Sequence, residues 1–319
     1  MIRRIQLFVR VLLPLTLWNC SCASRVNAGE FAPGRQVGIV KSELVSETSG
    51  MVASRQNPGV LWVHNDSGDA ARVYALNTKA EFLGICNIAG ASARDWEDIA
   101  VGPGPDPNRQ YLYLGDIGDN RDSRSEVIVY RVPEPKVNAA GPFAPLTAGP
   151  AEALRLAYPD GPRDAETLLV DPLTRDIYII SKRELFSKVY LAAAPQSTTQ
   201  RTAMKRVAVL PWGFATGGDV SPDGRRVIVR GMFSAGLWDR PAGEGTPTAE
   251  HRVADPVPLW RAFAGKQVPL ALLHESQGEA ICFDAAGAGY FTISEGRHPP
   301  LHYFGPAPAE GQPHPASVP

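Results

Sequence analysis

The sequence predicts an all-β chain folded as a single β-propeller, most simply of five blades. Five segments repeat the order apolar strand, polar turn, apolar strand. A short run opening on a polar pair precedes each segment, and one more apolar strand precedes each run. The chain of 319 residues also spreads 30 glycines and 29 prolines along its length, which suits many short strands joined by turns better than long helices.

The five segments are Gly59–Asn77 (GVLWVHNDSGDAARVYALN), Tyr111–Pro133 (YLYLGDIGDNRDSRSEVIVYRVP), Asp176–Ala193, Arg225–Asp239 and Gly289–Phe304. The runs before them begin at Ser49-Gly50-Met51, Glu97-Asp98-Ile99, Glu166-Thr167-Leu168, Gly218-Asp219-Val220 and Glu279-Ala280-Ile281. The strands before those are QVGIVKSEL, FLGICNI, ALRLAY, KRVAVL and QVPLALL. Four strands per unit, at a spacing of about 50 to 70 residues, is the pattern of propeller blades that bury their faces only by stacking around an axis. The last unit stops near Phe304 without an outer strand, while the strand at Gln36–Leu44 precedes the first full unit. The N-terminal strand is therefore expected to complete the final blade and close the ring, leaving no open edge. A sixth blade would need a strand pair within Arg240–Lys266. None is visible there, and that stretch reads as an insertion with a short helix near Pro258–Ala264. The other insertion, Glu134–Ala151, is rich in Pro and Ala and reads as an irregular surface loop.

The expected organisation is a signal peptide over 1–28, a propeller over 36–305 and a flexible tail over 306–319. Arg3 and Arg4 precede a short apolar run, Val11–Trp18, with small residues at Ser21, Ala23 and Ala28. That run is too short to span a bilayer. The protein is thus expected to be exported, to the periplasm or beyond, as a monomer. Cys20 raises lipidation as a weaker option, because Leu17-Trp18-Asn19 makes a poor lipobox. Cys86 falls on an outer strand and Cys282 on an inner one, so two buried free thiols are expected. A net charge of −1 gives no global attraction to nucleic acid or an anionic membrane. Most tryptophans lie in or beside strands and read as packing residues.

The stretch YLYLGDIGDNRDSRSEVIVYRV resembles the second and third strands of NHL-type propeller repeats. QGEAICFDAAGAGYFTISEGRHPPLHYF looks like a blade of secreted bacterial phytase-like and SMP-30-like propellers. The resemblance covers most of Gln36–Phe304 as architecture and implies hydrolysis without supplying a complete catalytic set.

Propeller geometry then gathers the polar residues. The start of each first strand lies beside the end of the antiparallel second strand. The first-strand starts carry Ser49, Glu97, Glu166, Asp219 and Glu279, and the second-strand ends carry Asp66, Asp116, Lys182, Arg230 and Glu295. Two polar rings should converge at one mouth of the channel, with the second ring as ligand-binding candidates. Within GDIGDN, Asp116 belongs to a ring, while Asp119 and Asn120 shape the turn. Neighbouring carboxylates need compensation. Calcium could supply it at Glu97, Glu166, Asp219 and Glu279. Lys182 and Arg230 could pair with the acids, or Glu97, Glu166 or Glu279 could hold a proton for acid–base catalysis. His64 is a further candidate base, as is His274, although each also reads as a structural histidine. His298 and His302 read as surface-loop residues. HExxH, GxSxG, CxxC and P-loop motifs are absent from the sequence.

Two functions lead. One is a calcium-assisted hydrolase of an ester, lactone or phosphoester. The other is a non-catalytic propeller that binds a small molecule, glycan or protein at the channel mouth. A quinone-dependent dehydrogenase is a third, for which no distinctive cofactor set is visible.

Overall fold

The computed structural model describes residues 30–243 and 256–308. The predicted leader, the tail beyond 308 and the middle of the Arg240–Lys266 insertion lie outside the described residues. The strands form five antiparallel four-stranded sheets, two of them extended by a short fifth strand. Blade 1 holds β2 (Thr48–Ala53), β3 (Val60–Asn65), β4 (Arg72–Asn77) and β5 (Phe82–Ile88). Blade 2 holds β6 (Trp96–Pro103), β7 (Gln110–Asp116), β8 (Val127–Pro133) and β10 (Glu152–Ala157). Blade 3 is β11 (Ala165–Val170), β12 (Ile177–Ser181), β13 (Lys188–Ala192) and β15 (Lys205–Val209). Blade 4 is β16 (Ala215–Val220), β17 (Arg226–Gly231), β18 (Ala235–Asp239) and β19 (Val268–Leu270). Blade 5 is β20 (Gly278–Phe283), β21 (Tyr290–Ser294) and β22 (Pro300–Phe304), completed by β1 (Arg35–Ile39). Arg35 pairs with Tyr303 and Ile39 with Pro300, so the N-terminal strand closes the ring as the sequence predicts.

Burial follows strand position. Every residue of β2, β11, β16 and β20 is buried, because a first strand is enclosed by both neighbouring blades. The outer strands β1 and β15 are partly exposed. The apolar core divides into five clusters, one at each blade interface. Trp62 and Trp96 fill the interface of blades 1 and 2, and Trp238 that of blades 3 and 4. Cys86 and Cys282 are free and buried.

Two expectations are corrected. The Glu134–Ala151 insertion is no irregular surface loop. Its Leu146–Ala148 segment, β9, pairs in parallel with β5 as a fifth strand of blade 1. Val137, Phe143 and Leu146 cover the core of blades 1 and 2, and Gly84 leaves the space that the Phe143 ring fills. Scattered apolar residues in a proline-rich segment thus suffice to dock it. The buried Glu134 carboxylate anchors its start, accepting from Trp62 Nε1 at 3.0 Å and Gln56 N at 3.1 Å. His302 is likewise no surface residue. The alternation of PLHYF turns it inward on β22, where Nδ1 lies 3.0 Å from Glu275 Oε1. A further pair of residues, Thr202–Ala203 (β14), extends blade 2 beside β10. The short helix near Pro258–Ala264 is present as a single 3-10 segment, Leu259–Ala264.

Candidate metal centre

The same irregularity recurs in every blade. The first strand slips register against the second by one residue, at Thr48/Gly50, Trp96/Asp98, Ala165/Thr167, Ala215/Gly217 and Gly278/Ala280. The extra residues are Ser49, Glu97, Glu166, Thr216 and Glu279. A bulge leaves its residue out of the ladder and re-aims the side chain, so one device repeated around the ring collects these five. Ser49 Oγ donates to Glu97 O at 2.6 Å, and Thr216 Oγ1 to Glu279 O at 3.2 Å, each across a blade boundary.

Register also defines two flanking rows. The residues just after the paired ends of the second strands are Asp66, Ile117, Lys182, Met232 and Glu295. Those just before the first strands' slipped pairs are Glu47, Asp95, Asp164, Phe214 and Gln277. Asp66, Lys182 and Glu295 therefore stand where the sequence reading puts them. Asp116 and Arg230 lie one and two residues earlier, and both are tied up. Asp116 Oδ1 accepts from Arg124 Nη1 at 2.8 Å, and Arg230 Nη1 donates to Glu275 Oε2 at 2.8 Å, all four side chains being buried.

Asp219 does not share the ring. Thr216 holds the equivalent place in blade 4. The Asp219 carboxylate accepts from Val220 N at 2.8 Å and, across the interface to blade 5, from Phe283 N at 2.9 Å. Asp98 does the same between blades 2 and 3, accepting from Ile99 N and Leu168 N. Burial pushes the Asp219 carboxyl up to about 6, against the pull of Arg55 and the two N–H donors. These aspartates staple neighbouring inner strands and have no oxygen left for the mouth.

His64 is fully buried between blades 1 and 2, edge-on to Trp96 at 5.8 Å. Its Nδ1 lies 2.8 Å from Asn65 O, which makes Nδ1 the protonated nitrogen. Nε2 has no partner and faces Gly50, where a side chain would collide with it. Burial lowers the His64 pKa, so the ring stays neutral. His274 lies exposed in the loop before β20, and His298 lies exposed beside Glu43 at 2.8 Å.

The strongest convergence is Asp66, Asp95 and Glu97. One oxygen from each lies within 4.8 Å of the others. Asp95 is the residue that the sequence reading missed. Its signal was an acidic residue two positions ahead of the polar pair, shared by Glu47 and Asp164. The GDIGDN turn supports this cluster from behind. Asp119 caps it, accepting from Ser123 N and Arg124 N at 2.7 Å each. Gly118 N donates to Asp95 O at 3.2 Å. A Cβ on Gly118 would lie 2.6 Å from Asp95 Cγ and Oδ2, and nearer still to Glu97 Oε1. The turn is therefore not a ligand itself. It is a wall that fits only without a side chain.

Among the described residues, none of the three carboxylates takes part in an ion pair. Four cations around the mouth are engaged elsewhere, Arg124 with Asp116, Arg183 with Asp164, Arg230 with Glu275 and Lys182 with Glu166, while Arg94 and Arg121 line the same cavity as Asp95 without an ion pair to it. The uncompensated charge raises proton affinity. Burial, then Glu166, Asp66 and Asp95, hold the Glu97 carboxyl well above the usual range. Burial raises Glu166 to about 8, with Lys182 opposing and Glu279 adding to the rise. Burial, followed by Glu279 and Asp66, brings Glu295 to about 7. Burial and Asp66 bring Asp95 to about 6. Glu279 is raised by burial, against Lys182 and Arg230. Burial works against the Lys182 ammonium, but Glu166 outweighs it and raises its pKa. Such an array favours a bound cation. Its carboxylate oxygens suit a hard divalent ion, and it offers no imidazole or thiolate.

No protein family and no curated protein matches the sequence. Among solved structures, a chain of a nidogen/laminin complex is similar at a TM-score of 0.44 and 11% identity, over 78% of this chain and 73% of that one. A Dos1 propeller is similar at a TM-score of 0.37 and 9% identity, over 81% and 68%. The propeller fold itself rests on the strand order and the closed ring of five interfaces. Among the described residues, no helix is long and apolar enough to cross a membrane.

Proposed function

We propose that this chain is an exported, calcium-binding propeller that hydrolyses an ester, lactone or phosphoester at the mouth of its channel. The observation that carries the reading is the convergence of Asp66, Asp95 and Glu97 from two blades without a paired cation. Those three carboxylates would hold the ion, and the resemblance to phytase-like and SMP-30-like propellers motivates the chemistry. A bound ion supplies Lewis-acid polarisation of the scissile carbonyl or phosphoryl group.

The chain's own residues do the rest. Glu166, on the adjoining blade, takes a proton from the attacking water. The water oxygen bonds to the acyl carbon or phosphorus, the bond to the leaving oxygen breaks, and Glu166 returns the proton to that oxygen. Its elevated proton affinity suits a base working near neutral pH, and Lys182, bonded to it, keeps positive charge beside the developing anion. His64 takes no part, because its free nitrogen is sealed between blades.

The test is calorimetric titration with calcium and with magnesium, followed by a panel of esters, lactones and phosphoesters. Calcium binding with turnover that is lost in Glu166→Gln is the expected outcome. Absence of calcium binding sinks the reading. Binding without turnover leaves a ligand-binding scaffold. A reporter fused after Gly29 that stays in the cytoplasm would remove export.

A further inference from the structure

We infer that the rim of blades 3 and 4 receives an apolar acyl arm, so that the substrate is a lipophilic carboxylic ester or lactone and not a phosphorylated polyol. This rests on the hydrolytic reading above and narrows it. The mouth is asymmetric by register. At the three aligned positions, blade 4 carries Phe214, Thr216 and Met232, whereas every other blade carries at least one carboxylate. Phe233 and Leu185 extend the change, at 88% and 81% exposure, and Phe186 lies beside Leu185.

Turn chemistry does not ask for these residues. The β17–β18 connection is Met232-Phe233-Ser234, closed by Gly231 N donating to Ser234 O at 2.7 Å. Tight turns favour Gly, Asn, Asp and Ser, so Met and Phe at such a tip lose stabilising apolar burial without a local gain. A contiguous exposed apolar patch on a soluble protein marks a binding surface.

Its position names the occupant. Phe214 N donates to Lys182 O at 2.9 Å, and Lys182 is bonded through its ammonium to Glu166. The apolar rim therefore begins one residue from the proposed base. The proposed ion ligands lie on blades 1 and 2, the base on blade 3 and the apolar rim on blades 3 and 4. A neutral carbonyl head with an apolar arm complements that sequence of surfaces. A polyanionic phosphate ester would meet carboxylates on four blades and apolar side chains on the remaining one. The described chain ends do not cover the rim: Glu30 pairs with Arg226 and Phe31 with Pro306, at the opposite end of the strands.

The experiment compares p-nitrophenyl acetate with p-nitrophenyl octanoate in calcium buffer. Each fully buried methylene is worth roughly fourfold, and an open platform covers only part of a chain, so kcat/KM should favour octanoate by about 10-fold. Leu185→Ser combined with Phe233→Ser should bring that ratio near unity by raising KM for octanoate. Acetate turnover and calcium affinity should not change. A flat ratio in the wild type, or a preference that survives both substitutions, overturns the inference, as does turnover of phosphoesters alone. If calcium binds and nothing is turned over, hydrolysis fails separately, and octanoate and butyrate binding decide the matter. About tenfold tighter octanoate that is lost in the variant upholds the apolar arm, and equal binding overturns it. A concentration-dependent dimer abolished by the same substitutions, with no acyl preference, would assign the rim to self-association instead.

Discussion

Replacing Gly118 by Ala should disable the cation site while sparing the fold. The added methyl would lie 2.6 Å from Asp95 Cγ and closer to Glu97 Oε1, so both carboxylates must move to admit it. The backbone at Gly118 is not in a left-handed conformation, so the substitution adds no strain of its own. Disturbing the support of metal ligands typically weakens affinity about 10- to 100-fold. At calcium of 100 times the wild-type Kd, binding stabilises the folded state by about 2.7 kcal/mol, and a 100-fold weaker site retains about 0.4 kcal/mol. The difference of about 2.3 kcal/mol corresponds to roughly 5 °C less calcium-induced rise in Tm for a domain of this size. The assay is differential scanning fluorimetry of both proteins in chelator and across a calcium series. The quantity compared is the rise, which separates ion binding from any change in intrinsic stability. An equal rise in both proteins would refute the placement of the ion against Gly118.

Two other outcomes follow from the same geometry. Glu166 and Glu295 titrate near 8 and 7 in the folded state, above the ordinary carboxylate value of 4.5. The native state therefore holds more protons than the unfolded chain between those limits, and stability without divalent cations should fall as pH rises from about 4.5 to about 8. Calcium should reduce that fall and release protons on binding, measurable by titration in buffers of different ionisation enthalpy; an ion-free Tm that rises over this range contradicts the charge array. Glu275→Gln should cost about 3–5 kcal/mol in urea unfolding, because it leaves a buried Arg230 guanidinium without its carboxylate. Its calcium response should match the wild type, and a loss of that response would place Glu275 in the ion site.

The blades were legible because each strand is a short apolar run punctuated by turn residues, and the missing outer strand after Phe304 gave away the closure. The bulges were not. A one-residue slip leaves no mark in composition, and it is what sets Thr216 in place of Asp219 and puts Ile117 and Met232 at the positions that strand spacing alone assigns to Asp116 and Arg230. Pairing was equally hidden: that Arg124 would claim Asp116, or Glu275 claim Arg230, depends on loops whose path the sequence does not state. Asp95 was readable only once the offset of the polar pair was fixed by register. The docking of Leu146–Ala148 escaped because three residues in parallel pairing have no periodicity to read.

Closure by β1 also has a kinetic side. Among the described residues, the strand nearest the N-terminus pairs with the one nearest the C-terminus, Arg35 meeting Tyr303. At roughly 5–20 residues per second, the partner follows roughly 270 residues later, a wait of tens of seconds. During that wait the strand is an orphan edge, the kind of segment that recruits other nascent chains. Its sequence, RQVGI, answers the hazard: a cation at its head, one glycine, and only two large apolar side chains. The strand that seals the ring is thus one whose composition gives other chains little to hold while its partner is still missing.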